Sequence, residues 1–221
     1  MSDIPIVPAD RRGIDRAVKA LAGGRLVLHP TETVVSLSGD PESLVAVERA
    51  RRIKGYASPR PFLCLVADVV TARGLARSWS LAAERLTVRF WPGPLTIVVP
   101  VAAAVLPNVA EKGRLALRAA ADPVSRRLVK AWGGAVFSTS ANPRGEDPAV
   151  RVEEAVRRLA DVPGADTIDL ALEADPTAAA REAPATEAPS TIVDVSGDVP
   201  RLLRAGALSV ERLREAVPDF S

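Results

Sequence analysis

Short apolar runs alternate with amphipathic stretches of helical period along almost the whole chain. This alternation restricts the fold more than any other feature. Runs of four to seven apolar residues bounded by Gly, Pro or Asp are too short for buried helices and must pair in a sheet. The segments between them repeat every three to four residues and supply helices to cover it. Residues 25–29, 34–37, 62–67, 95–101, 114–118, 135–139, 167–172, 191–195 and 201–204 read as strands. A first helix follows Asp10, with Ile14, Val18 and Leu21 on one face and Gly23-Gly24 as its stop. Asp40-Pro41-Glu42 opens a second, running to about Arg52. Further helices are expected at 69–76, 81–90, between Asp122-Pro123 and Gly133-Gly134, around Val152, Ala155, Val156 and Leu159, and at 210–216. With 221 residues and 48% apolar content, an α/β chain of this kind is expected to form one domain over 1–221. Residues 173–189, rich in Ala, Pro and Glu, are expected to be a mobile loop within it.

Composition removes several classes of function. The single cysteine, Cys64, sits in an apolar run and reads as a core residue, which favours a reducing, cytoplasmic setting. No basic-then-apolar leader and no run of about 20 apolar residues is present, so no membrane partner is expected. A net charge of +2 does not by itself indicate nucleic-acid binding. Neither GxxxxGK[ST] nor GxGxxG occurs, which removes the main support for P-loop and Rossmann readings. One His and one Cys cannot build a structural zinc site, and no metal is expected on protein side chains. His29, inside an apolar strand, reads as a structural histidine.

Polar motifs remain at strand ends. Pro30-Thr-Glu-Thr33 is either an ordinary turn or three hydrogen-bonding groups aimed at a ligand. Lys54-Gly-Tyr-Ala-Ser-Pro-Arg60 is either a solvated basic loop or a pair of cations around an anion. Ser138-Thr-Ser-Ala-Asn142 follows a buried strand, where hydroxyls and an amide either stabilise a turn or hold phosphate and ribose. Arg118 ends an apolar strand, where a guanidinium is costly to desolvate unless it meets an anion. Trp91-Pro-Gly-Pro94 reads as a turn that positions the strand after it.

Together with Ile53-Lys-Gly55, Pro61-Phe-Leu63, Phe90-Trp-Pro-Gly-Pro-Leu-Thr96, Leu117-Arg118, Thr139-Ser-Ala-Asn142, Pro189-Ser-Thr191 and Leu203-Arg204-Ala-Gly206, these motifs resemble the YrdC-like threonylcarbamoyl-adenylate synthases from about residue 10 to 208. The resemblance implies a twisted mixed sheet flanked by helices, with a concave basic cleft. It also implies an adenylate-forming nucleotidyltransferase that condenses L-threonine, bicarbonate and ATP for tRNA adenosine modification. Thr33 and Arg118 would bind threonine. Lys54, Arg60, Ser140 and Asn142 would bind ATP and carry the catalysis, with Ser190 and Arg204 closing the ATP side. Mg2+ would be held mainly by ATP phosphates. Further implied partners are tRNA or double-stranded RNA and a downstream threonylcarbamoyl transferase.

The chain departs from that pattern in places. Val35-Ser36-Leu37 stands for a Tyr-Gly-Leu, Tyr56 for the arginine of Lys-x-Arg, and Ala119-Ala-Ala121 for a Val-Pro, while 173–188 replaces a glycine-bearing stretch. A second reading follows from these departures, a catalytically impaired paralogue that binds nucleotide or RNA without turnover.

Overall fold

The computed structural model describes residues 3–58, 60–174 and 188–220. Its strands are β1 (Ile6–Pro8), β2 (Leu26–His29), β3 (Ser36–Gly39), β4 (Leu63–Leu65), β5 (Leu95–Pro100), β6 (Arg114–Arg118), β7 (Val136–Ser140), β8 (Ile168–Glu173), β9 (Thr191–Asp194) and β10 (Arg201–Arg204). They join in one ten-stranded mixed sheet in the order β1-β8-β2-β3-β7-β4-β6-β5-β9-β10. Seven α-helices flank it: α1 (Arg11–Ala22), α2 (Leu44–Lys54), α3 (Val69–Leu75), α4 (Leu81–Phe90), α5 (Pro123–Trp132), α6 (Val152–Leu159) and α7 (Val210–Ala216). Of the segment expected to be mobile, Glu173 closes β8 and Pro189 leads into β9, while 175–187 lie outside the described residues.

Alternation along the strands divides the core into two layers, as period-2 side chains must. Leu26, Leu28, Leu37, Cys64, Ile97, Leu117, Phe137 and Val193 pack with α2, α4, α6 and α7. The intervening residues Val27, Leu65, Val136, Leu170 and Leu172 pack with α1 and α5. The second layer covers only part of its face: β5, β6 and β9 contribute nothing to that cluster, and their side chains on that side border a cavity.

Three elements differ from the sequence reading. β1, which pairs in parallel with β8, was not anticipated, because a three-residue Ile-Val-Pro run that follows Pro5 and ends in Pro8 carries little strand signal. β3 is Ser-Leu-Ser-Gly at 36–39 rather than 34–37. It pairs with β7 through serines, Ser36 beside Ser140 and Ser38 beside Ser138, so hydropathy points to the wrong register. α2 begins at Leu44 under the Ser43 cap, whose hydroxyl accepts from Ala46 N. Asp40 instead closes a short turn by accepting from Glu42 N at 2.9 Å. The other caps follow the sequence: Asp10 accepts from Gly13 N, and Asp122 from Val124 N and Ser125 N with Pro123 in the first turn.

Candidate active site

The cavity of about 500 Å³ lies over the part of the sheet that α1 and α5 leave open. Its floor is a row across four strands. Ser138 pairs with Leu63, the β4–β6 register sets Leu63 alongside Ala116, and Ala116 pairs with Val98. Small and medium side chains in that row leave the space, and Thr31, Thr33, Tyr56, Arg118, Ser140, Ser190 and Arg204 are among the groups around it.

Arg118 is the buried charge of this cavity, 4% exposed at the end of β6. Its Nη2 lies 2.8 Å from Glu32 Oε1 and donates to Thr33 Oγ1 at 3.2 Å, and its Nε donates to Gly93 O at 3.2 Å. Glu32 is fixed in turn, its Oε2 accepting from Ala121 N (3.0 Å) and Asp122 N (3.3 Å). The Thr31 and Thr33 hydroxyls are 2.9 Å apart, and Thr31 Oγ1 donates to Val34 O at 2.7 Å. The anion that the sequence demanded for Arg118 is therefore supplied by Glu32, and Arg118 Nη1 has no protein partner among the described residues. Trp91-Pro-Gly-Pro94 does position β5, since Trp91 Nε1 donates to Leu95 O at 2.7 Å, and its Gly93 carbonyl also orients Arg118.

Opposite Arg118 stand Ser190 and Arg204. Arg204 donates from Nη2 to Ser190 O (2.8 Å) and Oγ (3.1 Å), while Thr96 and Ser190 hydroxyls meet at 2.9 Å. The pKa of Arg204 falls below its ordinary value, first through lost hydration and then through the charge of Arg118. Two guanidinium groups facing one space make it receptive to an anion.

Lys54 is placed differently. Gly55, left-handed at φ 62, caps α2 and leaves Lys54 as its last helical residue, 3% exposed. Its Nζ donates to Ser140 O (2.9 Å), Ser140 Oγ (3.2 Å), Asn142 Oδ1 (3.0 Å) and Asn142 O (2.5 Å). Burial lowers its pKa to about 8, against a smaller raising effect of Glu146. Asn142, also buried, donates to Pro143 O and Glu146 O. Both residues lie beneath the 140–142 turn and not on the cavity lining, whereas Ser140 is on it. Arg60 is exposed and outside the lining, its guanidinium 5.4 Å above the ring of Tyr56, which does line the cavity. Of the eight residues selected from sequence, Thr33, Arg118, Ser140, Ser190 and Arg204 share the cavity, Lys54 and Asn142 shape one wall from below, and Arg60 stands outside the lining, over the ring of Tyr56.

Sequence reasoning missed Ser36, and it named Glu32 and Ser138 only as members of their motifs, without the partners the structure gives them. Ser36 and Ser138 are hydrogen-bonded at the floor, and Ser36 continues to Ser38 at 3.1 Å. Ser38 meets His29 Nε2 at 2.9 Å, and His29 Nδ1 lies 2.9 Å from Ser125 Oγ, which donates to Pro30 O. A neutral imidazole satisfies this chain, and burial lowers the His29 pKa to about 4. His29 is structural, as its apolar setting indicated.

The fold and this cavity define an α/β protein of the Sua5/YciO/YrdC type, and comparison agrees. Residues 19–206 match the profile of the Sua5/YciO/YrdC family, described as "Telomere recombination". The chain belongs to that family. A protein of Mycobacterium tuberculosis, named provisionally as a threonylcarbamoyl-AMP synthase, is 35% identical over 207 residues, 93% of this chain and 89% of its own. The threonylcarbamoyl-AMP synthase of Stenotrophomonas maltophilia is 36% identical over 149 residues, 66% of this chain and 80% of its own. P. abyssi Sua5, solved in complex with L-threonine, superposes with a TM-score of 0.83 at 26% identity, over 99% of this chain and 62% of that one. This chain thus spans about three fifths of the P. abyssi protein.

Proposed function

We propose that the chain is an adenylate-forming nucleotidyltransferase that makes threonylcarbamoyl-adenylate and pyrophosphate from L-threonine, bicarbonate and ATP. The observation that carries this reading is a buried Arg118, fixed by Glu32, Thr33 and Gly93, facing a second guanidinium, Arg204, across one cavity. The names of the relatives and the threonine complex of P. abyssi Sua5 support it. The second reading, binding without turnover, lacks comparable support, because Arg118, Thr33, Ser140 and Ser190 are all in place around the cavity.

In this reading the threonine carboxylate meets the free side of Arg118, and Thr33 orients the amino acid. The amine, having lost a proton, forms a bond to the carbon of bicarbonate-derived carbon dioxide. A carbamate oxygen then attacks the α-phosphorus, and the bond from that phosphorus to the bridging oxygen breaks with pyrophosphate as leaving group. No side-chain nucleophile is required. The work of the protein is to hold two anions face to face and to stabilise departing charge. Ser140 and Ser190 are placed to donate to phosphate, Arg204 to offset charge, and Arg60 to approach the triphosphate from the mouth. Lys54 and Asn142 hold the turn that presents Ser140.

The lining offers hydroxyls and, among the described residues, no carboxylate, which suits a Mg2+ ion carried on phosphate oxygens and water. There it would neutralise charge on pyrophosphate. The proposed setting is the cytoplasm, in keeping with a buried, unpaired Cys64. No described helix is long and apolar enough to cross a membrane. tRNA would be the eventual recipient of the threonylcarbamoyl group, through a separate transferase.

The test is incubation with ATP, magnesium, L-threonine and bicarbonate, following pyrophosphate and, by mass spectrometry, the threonylcarbamoyl-adenylate. Release that requires all three reactants is the expected outcome. Absence of the adenylate at high enzyme concentration would overturn the proposal.

A further inference from the structure

A buried histidine is joined to the cavity floor by hydroxyl groups alone. His29, the single histidine of the chain, ends β2 with no exposed surface, and Ser38, Ser36 and Ser138 lead from its Nε2 to the cavity. A serine hydroxyl has one hydrogen to give, and a neutral imidazole has one N–H and one lone-pair nitrogen. The position of one proton on the ring therefore sets the direction of every bond in the chain.

The inner end fixes that position. Pro30 O only accepts, and it takes the hydrogen of Ser125 Oγ at 2.7 Å. Ser125 Oγ and Pro30 O then both face His29 Nδ1 as acceptors, at 2.9 Å and 3.1 Å, so Nδ1 carries the proton. Burial keeps the ring neutral, its pKa lowered to about 4, and Nε2 is left as an acceptor. Ser38 consequently donates to Nε2, Ser36 to Ser38 and Ser138 to Ser36. A further acceptor near Ser36 is Thr139 O at 3.4 Å, and donation there leaves the Ser138 bond running the same way. Ser138 thus spends its only hydrogen inward and shows the cavity lone pairs. The opposite tautomer would reverse all three bonds and turn a hydrogen toward the cavity.

We propose that His29 is a positioning residue: through Ser38 and Ser36 it keeps Ser138 a hydrogen-bond acceptor, which receives the α-amino group of the amino acid whose carboxylate lies on Arg118. Arg118 is opposite Leu65 of β4, and Leu65 is opposite Val136, two residues before Ser138, so both side chains stand on one face of the sheet. Two strands and two residues separate them, roughly 12 Å between backbones, and both line the same cavity. Acceptor polarity suits the proposed chemistry, because a hydroxyl hydrogen aimed at the amine would occupy the electron pair that has to bond to carbon. The same oxygen accepts the N–H that remains in the carbamate. The choice of an amino acid as ligand rests on the proposed function. The polarity of the floor does not depend on it.

Two measurements on the whole chain test this. The first is the nitrogen NMR spectrum of the labelled His29 ring, which needs no assignment because the chain has one histidine. At neutral pH, Nδ1 is expected to carry the proton and Nε2 to be bare. The reverse tautomer, or an even mixture, overturns the proposal. The second compares binding of L-threonine with that of 3-hydroxybutanoate, which lacks only the amine, to the unaltered chain and to Ser38→Ala. Ser38 is fully buried and off the cavity lining, so its loss reaches the floor by freeing Ser36 to donate to Ser138. The preference for threonine is expected to narrow roughly tenfold, as for one hydrogen bond to a charged group, with the KM for ATP close to unchanged. An unchanged ratio, or an equal loss for both ligands, overturns the positioning role. The tautomer is read on the unaltered chain, so a poorly folded Ser38→Ala leaves the proposal open to refutation. Adenylate formation with the reverse tautomer defeats this proposal alone. The expected tautomer and narrowed preference, with no adenylate from the unaltered chain, defeat the synthase reading alone.

Discussion

Arg118 concentrates the argument at the scale of single residues. A guanidinium this buried tolerates its position because Glu32, Thr33 and Gly93 take up part of its fork, and the remainder suits a carboxylate held in two-pronged geometry. Arg118→Lys keeps the charge and loses the fork. The KM for threonine is expected to rise about ten- to a hundredfold, as for loss of a charged hydrogen bond worth about 1.5–3 kcal/mol, with the KM for ATP far less affected. Equal rises in both would remove Arg118 from the threonine side. His29 makes a second prediction, about pH. Its pKa is near 4 in the fold and about 6.5 when exposed, so between those values the unfolded chain binds more protons and stability falls as pH falls. His29→Gln, which cannot titrate, is expected to lose about 3 kcal/mol of that decline in urea unfolding between pH 7 and 4. An unchanged slope would mean that the imidazole is not held neutral. His29, Cys64 and Arg118 were legible because each is a polar or reactive group inside an apolar run. Glu32 was not: nothing local shows that a turn carboxylate reaches back to a strand far along the chain.

Elements place these groups through close backbone approach. Gly206 lies where a Cβ would meet Pro189 O at 2.2 Å and Ser190 C at 2.6 Å, so the chain leaving β10 presses directly on the segment entering β9. That contact sets Arg204 against Ser190. Gly206→Ala is expected to push the two segments apart, lowering stability by about 1–3 kcal/mol and raising the KM for ATP while the KM for threonine stays close to normal. A fully stable variant with unchanged ATP kinetics would show that the approach is dispensable. Helices were readable from caps and period, and most strands from apolar runs. β1 and β3 escaped because a strand that follows one proline and ends in another and a strand zipped by serines carry pairing information in their neighbours rather than in themselves.

For the whole molecule, the cavity comes from incomplete cover: ten strands form one sheet, and α1 and α5 are too few to close their side of it. Individual motifs named most of the groups around the opening, yet only the assembled sheet shows Lys54 beneath the wall and Arg60 outside the lining, over Tyr56. Which side chains meet across 85 residues, as Arg118 and Thr33 do, is decided by strand order, and strand order is weakly written in local pattern. The most direct measurement is a crystal structure of the chain with magnesium, a non-hydrolysable ATP analogue and L-threonine. The threonine carboxylate is expected on Arg118 beside Thr33, with the α-phosphate between Ser140 and Ser190 and within reach of the threonine amine. Threonine bound elsewhere, or a nucleotide whose α-phosphate faces away from it, would contradict the proposed chemistry.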